Sequence, residues 1–180
     1  GGYLSDLEAR GLFVLAVNPT CPGRVVEIGT FKGKSAVLLA KAVSAIGEGA
    51  IVAVDPHEAA SVEVDLSHYG KESVHAECMA NFSQSGVENM VEFHQLRSTC
   101  FAKSWPVSQR IRLLWIDGDH TYSGAKGDLE AFAPYLADGA IVAMHDVLHE
   151  HGGPTRAFAE GILLSKDFSA FGFFGSVGWA

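Results

Sequence analysis

The segment Val25-Val26-Glu27-Ile28-Gly29-Thr30-Phe31-Lys32-Gly33-Lys34-Ser35, followed by Ile51-Val52-Ala53-Val54-Asp55, constrains this chain more than any other. A β-branched run ends in an acid, breaks into a glycine turn and opens a helical pattern through Ala36, Val37, Leu38, Leu39 and Ala40. A second apolar run ends in another acid, Asp55, about 20 positions beyond Gly33, as nucleotide-type βαβ units have it. The glycines let the backbone approach a ligand, and the helix N-terminus offers unpaired N–H groups to an anionic group. The second acid accepts hydrogen bonds from a ribose diol. Together these features point to an adenosine-containing small ligand.

The rest of the chain repeats the alternation of strand and helix. Residues 4–17 read as a lead-in helix within the first 20 residues, ended by Asn18-Pro19 and Cys21-Pro22-Gly23. Strands are expected near 24–28, 50–55, 90–95, 111–116 and 140–144, with helices near 33–46, 71–85, 98–104, 124–136 and 154–165. Pro134 falls near the end of its helix, and Pro154 at a first helical position. The tail from Phe168 to Ala180 alternates aromatic residues with glycines and suits a strand pair. Residues 56–70 show no clear period, and a loop of that length inside a compact domain is usually functional. This pattern predicts a mostly parallel sheet covered on both faces, built as one domain over residues 1–180.

Composition narrows the function. Thirteen basic residues against 21 acidic give a net charge of −8, with no basic cluster, which argues against a nucleic-acid surface. Cys21, Cys78 and Cys100 are odd in number and widely spaced, so no disulfide framework is expected and a reducing cytoplasm is favoured. No apolar run approaches the roughly 20 residues of a membrane span. The start, Gly1-Gly2-Tyr3, carries no secretion-signal profile.

Three readings compete for the glycine turn. A dinucleotide fold wants Gly-x-Gly-x-x-Gly, but Phe31 stands where the second glycine belongs. A P-loop phosphotransferase wants Gly-x-x-x-x-Gly-Lys-Ser. Gly33-Lys34-Ser35 matches its end, yet Ile28 occupies the upstream glycine position. The third reading is a strand ending in Glu-x-Gly with a looser turn, suited to a ligand with a carboxylate and an amine but no pyrophosphate. S-adenosylmethionine is such a ligand, and Glu27 suits its cationic groups. The glycines by themselves also permit a plain packing role. Acids or histidine at the ends of four strands weigh against it, because ligands of open α/β sheets bind outside the strands' carboxyl ends.

Val25 to Thr30, Val54-Asp55, Trp115-Ile116-Asp117-Gly118-Asp119-His120-Thr121-Tyr122 and Met144-His145-Asp146 together resemble a class I S-adenosylmethionine-dependent methyltransferase. The closer likeness is to the small-molecule O-methyltransferase branch that includes catechol, macrocin and cephalosporin-pathway enzymes, over about residues 20–180. The resemblance implies a Rossmann-like, doubly wound α/β fold, with a seven-stranded, mostly parallel sheet whose last strand is antiparallel. It implies a cofactor site at Glu27, Gly29, Thr30, Phe31, Gly33, Ser35, Asp55, Ser98 and Asp117. It also implies a divalent cation, Mg²⁺, held by Asp117 and Asp146 with His145 or Asp119 as a further ligand. In that reading Asp117 and His120 carry the chemistry, with His120 as general base. Histidine at 145 departs from the carboxylate common in metal-dependent relatives.

Each of these residues also has a plainer role open to it: Asp117 as a turn cap, Asp119 and His120 as a solvated pair, His145-Asp146 as a hydrogen-bonded turn. His149, Glu150 and His151 follow His145 at zinc-like spacing, but the Gly152-Gly153-Pro154 run beside them favours a solvated loop. The expected activity is methyl transfer to a hydroxyl of a small molecule, of sugar or natural-product type. A non-catalytic S-adenosylmethionine-binding or interaction protein is the alternative from another class. So short a chain leaves little to wall an acceptor pocket beyond residues 56–70 (with His68 and Tyr69), residues 147–153, the lead-in helix or a second subunit of a homo-oligomer.

Overall fold

The computed structural model describes residues 4–57, 71–149 and 152–180, without the side chains of residues 71–73. Seven strands form one sheet in the order β3-β2-β1-β4-β5-β7-β6. These are β1 (Arg24–Ile28), β2 (Ile51–Val54), β3 (Val91–His94), β4 (Ile111–Ile116), β5 (Leu136–Met144), β6 (Gly172–Phe174) and β7 (Val177–Trp179). β1 to β5 pair in parallel, and β7 runs antiparallel to both β5 and β6. The expected doubly wound sheet with an antiparallel final strand is the one observed.

Helices α1 (Asp6–Val17), α2 (Lys34–Ala45) and α3 (Lys71–Ser85) share a core with Val25, Ala53, Leu113, Trp115 and Ala143. Helices α4 (Ser98–Ala102), α5 (Tyr122–Phe132) and α6 (Gly152–Phe158) share a second core with Val26, Val54, Leu114, Ile116 and Met144. Neighbouring strand residues thus feed opposite faces, as the two-residue period of a strand requires, and every residue of β4 is buried. Among the described residues no helix is long and apolar enough to cross a membrane.

Element ends differ from expectation where a side chain or a proline decides them. α1 starts at Asp6 because Ser5 and Glu8 form a reciprocal capping box. α5 starts at Tyr122, two residues early, because the Thr121 hydroxyl accepts the Gly124 N–H. Its α-helical part stops at Phe132, and a 3₁₀ turn over Ala133–Tyr135 follows, since Pro134 cannot donate to a preceding carbonyl. α6 passes at Phe158 into a wider π turn over Ala159–Leu163. β5 begins at Leu136, four residues earlier than expected, as an exposed lead into its buried end.

Arg112 is buried on β4 yet partnered. It donates through Nε and Nη2 to Glu48 and through Nη2 to the Ala16 carbonyl, tying α1 to the strand.

Candidate active site

Parallel register brings the ends of β1, β2, β4 and β5 to one edge, with Ile28 beside Val54 and Ile116, and Ile116 beside Met144. Glu27, Asp55, Asp117 and His145 therefore lie at or just inside the same carboxyl edge.

The glycine turn is shaped by the protein itself. Gly29 has φ +84°, and a Cβ there would lie 2.1 Å from the carbonyl oxygen of Asp117. Its lack of a side chain is thus demanded by the β4 loop. The Gly33 N–H donates to the Thr30 carbonyl at 2.7 Å, closing a turn in which Phe31 takes φ +45°. Asp55 Oδ2 accepts the N–H groups of Thr30 and Phe31, each at 2.7 Å, and Oδ1 accepts that of His57 at 2.7 Å. A carboxylate offers about four acceptor positions, so the acid expected to meet a ribose also holds the turn in shape. Lys34 donates to the Leu4 carbonyl at 2.6 Å instead of reaching over the turn, which is unlike a P-loop lysine.

Glu27 is wholly buried. Its Oε2 accepts from the Thr30 hydroxyl at 3.0 Å, Ser35 also favours the ionised form, and Oε1 has no hydrogen-bond partner. Burial, reinforced by the charges of Asp117 and Asp55, pushes its pKa up to about 8 despite both hydroxyls. An orphaned buried acceptor beside the turn suits a ligand's ammonium group.

At the next two strand ends, Asp117, His120 and Asp146 bring one ligand atom each within 4.8 Å of the others. His120 Nε2 lies 3.4 Å from Asp146 Oδ2 and 3.8 Å from Asp117 Oδ1. His145 Nδ1 lies 3.1 Å from Asp117 Oδ1 and 3.4 Å from Asp146 Oδ2. Ligand atoms at 2.0–2.6 Å from a small dication are about 3–5 Å apart, so two carboxylates and an imidazole at this spacing fit one. The expected further ligand is His145 or Asp119; the group that meets this spacing among the described residues has His120 in that place, and His145 also faces a third carboxylate, that of Glu8.

Asp117, and then Asp146, raise the pKa of His120 above its ordinary 6.5 against the effect of burial. Burial opposes protonation of His145, but Asp117 and Asp146 outweigh it and carry its pKa to about 11. Asp146 takes φ +56°, a left-handed conformation that aspartate tolerates better than most residues. A Cβ on Gly153 would lie 2.1 Å from the His120 carbonyl, so the start of α6 packs directly on the loop that carries His120.

Other candidates fall elsewhere. Ser98, at the start of α4, donates its hydroxyl to the buried carboxylate of Asp128 on α5. Asp119 accepts the Thr121 N–H at 2.9 Å and shapes the turn into α5. His68, Tyr69, Glu150 and His151 lie outside the described residues, as does most of the 56–70 loop. Sequence reasoning missed four residues at this edge. His57 is buried, stacks on Phe93 and bonds the Phe31 carbonyl through Nε2 at 2.9 Å. His75 meets it at 3.2 Å. Glu8 and Ser176 reach the β5 end from opposite termini of the chain. Only Glu8 carried a signal, the Ser-x-x-Glu capping pattern, and that pattern accounts for it without reference to any site.

Comparison with known proteins agrees with this fold. The solved structure of the O-methyltransferase TomG from Streptomyces achromogenes, involved in tomaymycin synthesis and bound to S-adenosylmethionine, is 19% identical with a TM-score of 0.70, over 96% of this chain and 78% of that one. An O-methyltransferase from Bacillus cereus in complex with S-adenosylhomocysteine is 18% identical with a TM-score of 0.68, over 97% and 80%. A TDP-rhamnose 3'-O-methyltransferase of calicheamicin biosynthesis is 20% identical with a TM-score of 0.63, over 95% and 75%. These likenesses concern the fold. By sequence, the uncharacterized protein y4gI of Sinorhizobium fredii is 31% identical over 136 residues, 73% of this chain, and the chain spans only 14% of that protein's length. The profile described as "Methyltransferase domain" matches residues 26–147, which include the glycine turn, Asp55, the Asp117–His120 loop and His145-Asp146. The chain belongs to the methyltransferase-domain family.

Proposed function

We propose that this chain transfers the methyl group of S-adenosylmethionine to a hydroxyl of a small molecule, with a divalent cation at the Asp117–Asp146 edge. The observation that carries the proposal is the convergence of Asp117, His120 and Asp146 within 4.8 Å at the strand edge that also holds the unpartnered acceptor of Glu27. Glu27 would bind the ammonium of the methyl donor, and the turn held by Asp55 would receive its adenosine part. Asp117 and Asp146 would hold Mg²⁺, which supplies Lewis acidity that lowers the pKa of a hydroxyl bound to it. His120 Nε2 would take the hydroxyl proton as the oxygen attacks the methyl carbon and the carbon–sulfur bond breaks. A sugar-type or natural-product-type acceptor is proposed because similar folds serve a TDP-rhamnose and tomaymycin synthesis.

Calorimetry with S-adenosylhomocysteine tests the cofactor, and a screen of hydroxyl acceptors with methyl-labelled donor, run with Mg²⁺ and with EDTA, tests the reaction. Binding followed by Mg²⁺-dependent labelling is expected. Binding with no labelling of any acceptor would favour a non-catalytic S-adenosylmethionine-binding role.

A further inference from the structure

Glu8 lies on α1, outside the matched residues 26–147, yet its side chain ends at the same edge. It is buried, with 6% of its surface exposed, and its carboxylate accepts four hydrogen bonds. Oε2 accepts the Ser5 N–H at 2.8 Å and the Ser5 hydroxyl at 2.7 Å. Oε1 accepts the Ser176 N–H at 2.8 Å and the Ser176 hydroxyl at 2.7 Å. Burial opposes its ionisation, but these four donors prevail and bring its pKa down to about 2. The turn between β6 and β7 is built around this group: a Cβ on Gly175, at φ +59°, would lie 2.6 Å from Glu8 Cγ.

The anchored carboxylate then faces His145. Glu8 Oε2 lies 3.6 Å from His145 Nε2, while Nδ1 on the other side of the ring faces Asp117 at 3.1 Å and Asp146 at 3.4 Å. The imidazole is 6% exposed and packs edge-on against Trp115, with ring centroids 5.6 Å apart. Ser176 adds a second path, its hydroxyl standing 3.3 Å from Asp146 Oδ1. A buried carboxylate facing one ring nitrogen biases the ring's orientation, so the other nitrogen is the one turned toward Asp117 and Asp146.

We propose that Glu8 is a positioning residue for methyl transfer: its buried carboxylate, 3.6 Å from Nε2, holds the His145 ring by its charge, so that the Nδ1 edge stays against Asp117 and Asp146. This rests on reading that edge as the methyl-transfer site. It also makes α1 and the β6–β7 turn parts of the site. Packing on α2 and one face of the sheet is one task of α1, and setting the histidine is another.

The test is the Glu8→Gln variant of the full chain, read by ¹⁵N shifts of the His145 ring and by steady-state kinetics. Glu8→Gln is expected to move both ring-nitrogen shifts of His145 and to lower kcat about 10- to 100-fold, the usual cost of losing such a partner. KM for S-adenosylmethionine should change less than about threefold on the same account, since Glu27 and Asp55 are untouched. Glu8→Asp keeps the charge but withdraws it by one methylene. It should give intermediate shifts and rates, and it serves as the test if Glu8→Gln does not fold. Ser5→Ala weakens the same helix cap and leaves the carboxylate facing His145, so it should lower Tm without moving the ring shifts. Unchanged ring shifts and unchanged kcat in a folded Glu8 variant would overturn the inference. A wild type that neither binds S-adenosylhomocysteine nor methylates any acceptor would instead defeat the underlying reading, and the ring shifts would still decide whether Glu8 sets His145.

Discussion

Asp55 Oδ2 accepts the backbone N–H of Phe31 at 2.7 Å, across 24 positions of sequence. Phe31 sits at φ +45°, where a side-chain-bearing residue is disfavoured by roughly 1–2 kcal/mol. The carboxylate also takes the N–H groups of Thr30 and His57, and so stabilises a turn that the local chain would not choose. One side chain thus shapes the turn and is also the one proposed to meet the cofactor's ribose.

Removing that carboxylate should therefore lower both stability and affinity. Asp55→Ala is expected to reduce the free energy of unfolding by about 1.5–3 kcal/mol, the range for hydrogen bonds to a charged group. Urea denaturation measures that loss, and calorimetry with S-adenosylhomocysteine should show weaker binding in the same variant. A variant that binds weakly but is as stable as wild type would confine Asp55 to the ligand.

Glu27 makes stability and binding depend on pH in opposite directions. Its carboxyl group titrates at about 8 in the fold against an ordinary 4.5. Between those values the folded state holds a proton that the unfolded chain has released, so this group's contribution to stability falls as pH rises through 8. Glu27→Gln should abolish that decline. A ligand ammonium beside the carboxyl group favours its ionised form, so S-adenosylhomocysteine binding at pH 7 should release a proton and tighten as pH approaches 8. Calorimetry in buffers of different ionisation enthalpy reads the proton directly. No release at pH 7 would show that the ammonium does not meet Glu27.

Asp146 separates backbone strain from chemistry. At φ +56° it occupies a conformation that Asn shares readily and Ala does not. Asp146→Asn and Asp146→Ala both lose the charge that faces His145 and His120, so the backbone strain shows in their difference: Asp146→Ala should be less stable than Asp146→Asn by about 1 kcal/mol. Both should lose most Mg²⁺-dependent methyl transfer while binding S-adenosylhomocysteine normally. Equal activity of Asp146→Asn and wild type would remove Asp146 from the chemistry.

Two glycines with similar backbones should respond differently. Gly29 (φ +84°) has the Asp117 carbonyl 2.1 Å from a built Cβ, whereas Gly47 (φ +75°) has nothing within 4 Å. Gly47→Ala should cost roughly 1 kcal/mol, the left-handed penalty by itself. Gly29→Ala should cost at least about twice that, since overpacking against backbone adds typically 1–3 kcal/mol. Thermal denaturation of the pair checks the difference.

The sequence exposes the parts of this fold that are set locally. The β1–turn–α2–β2 unit is legible because a β-branched run, glycines and a helical period lie within one stretch of chain. The Asp117–His120 loop is legible because strand-end acids stand out against a fully apolar β4. Glu8, Ser176 and Asp128 are hidden for the opposite reason. Glu8 meets Ser176 across 168 positions, and Ser98 meets Asp128 across 30, so neither pairing leaves a local pattern. Gly29 is recognisable as a turn glycine, but the Asp117 carbonyl that demands it comes from another loop. Local caps moved the helix ends, as Thr121 did at the start of α5 and Pro134 at its close.

The central claim is that methyl transfer takes place where Asp117, His120 and Asp146 meet. Single-turnover transfer of labelled methyl from S-adenosylmethionine to a hydroxyl acceptor found by the screen, compared between wild type and His120→Ala, tests it most directly. The account predicts that His120→Ala binds S-adenosylhomocysteine as wild type does and transfers methyl about 10²–10⁴-fold more slowly, as expected for loss of a positioned base. A His120→Ala variant that transfers methyl at the wild-type rate would contradict it.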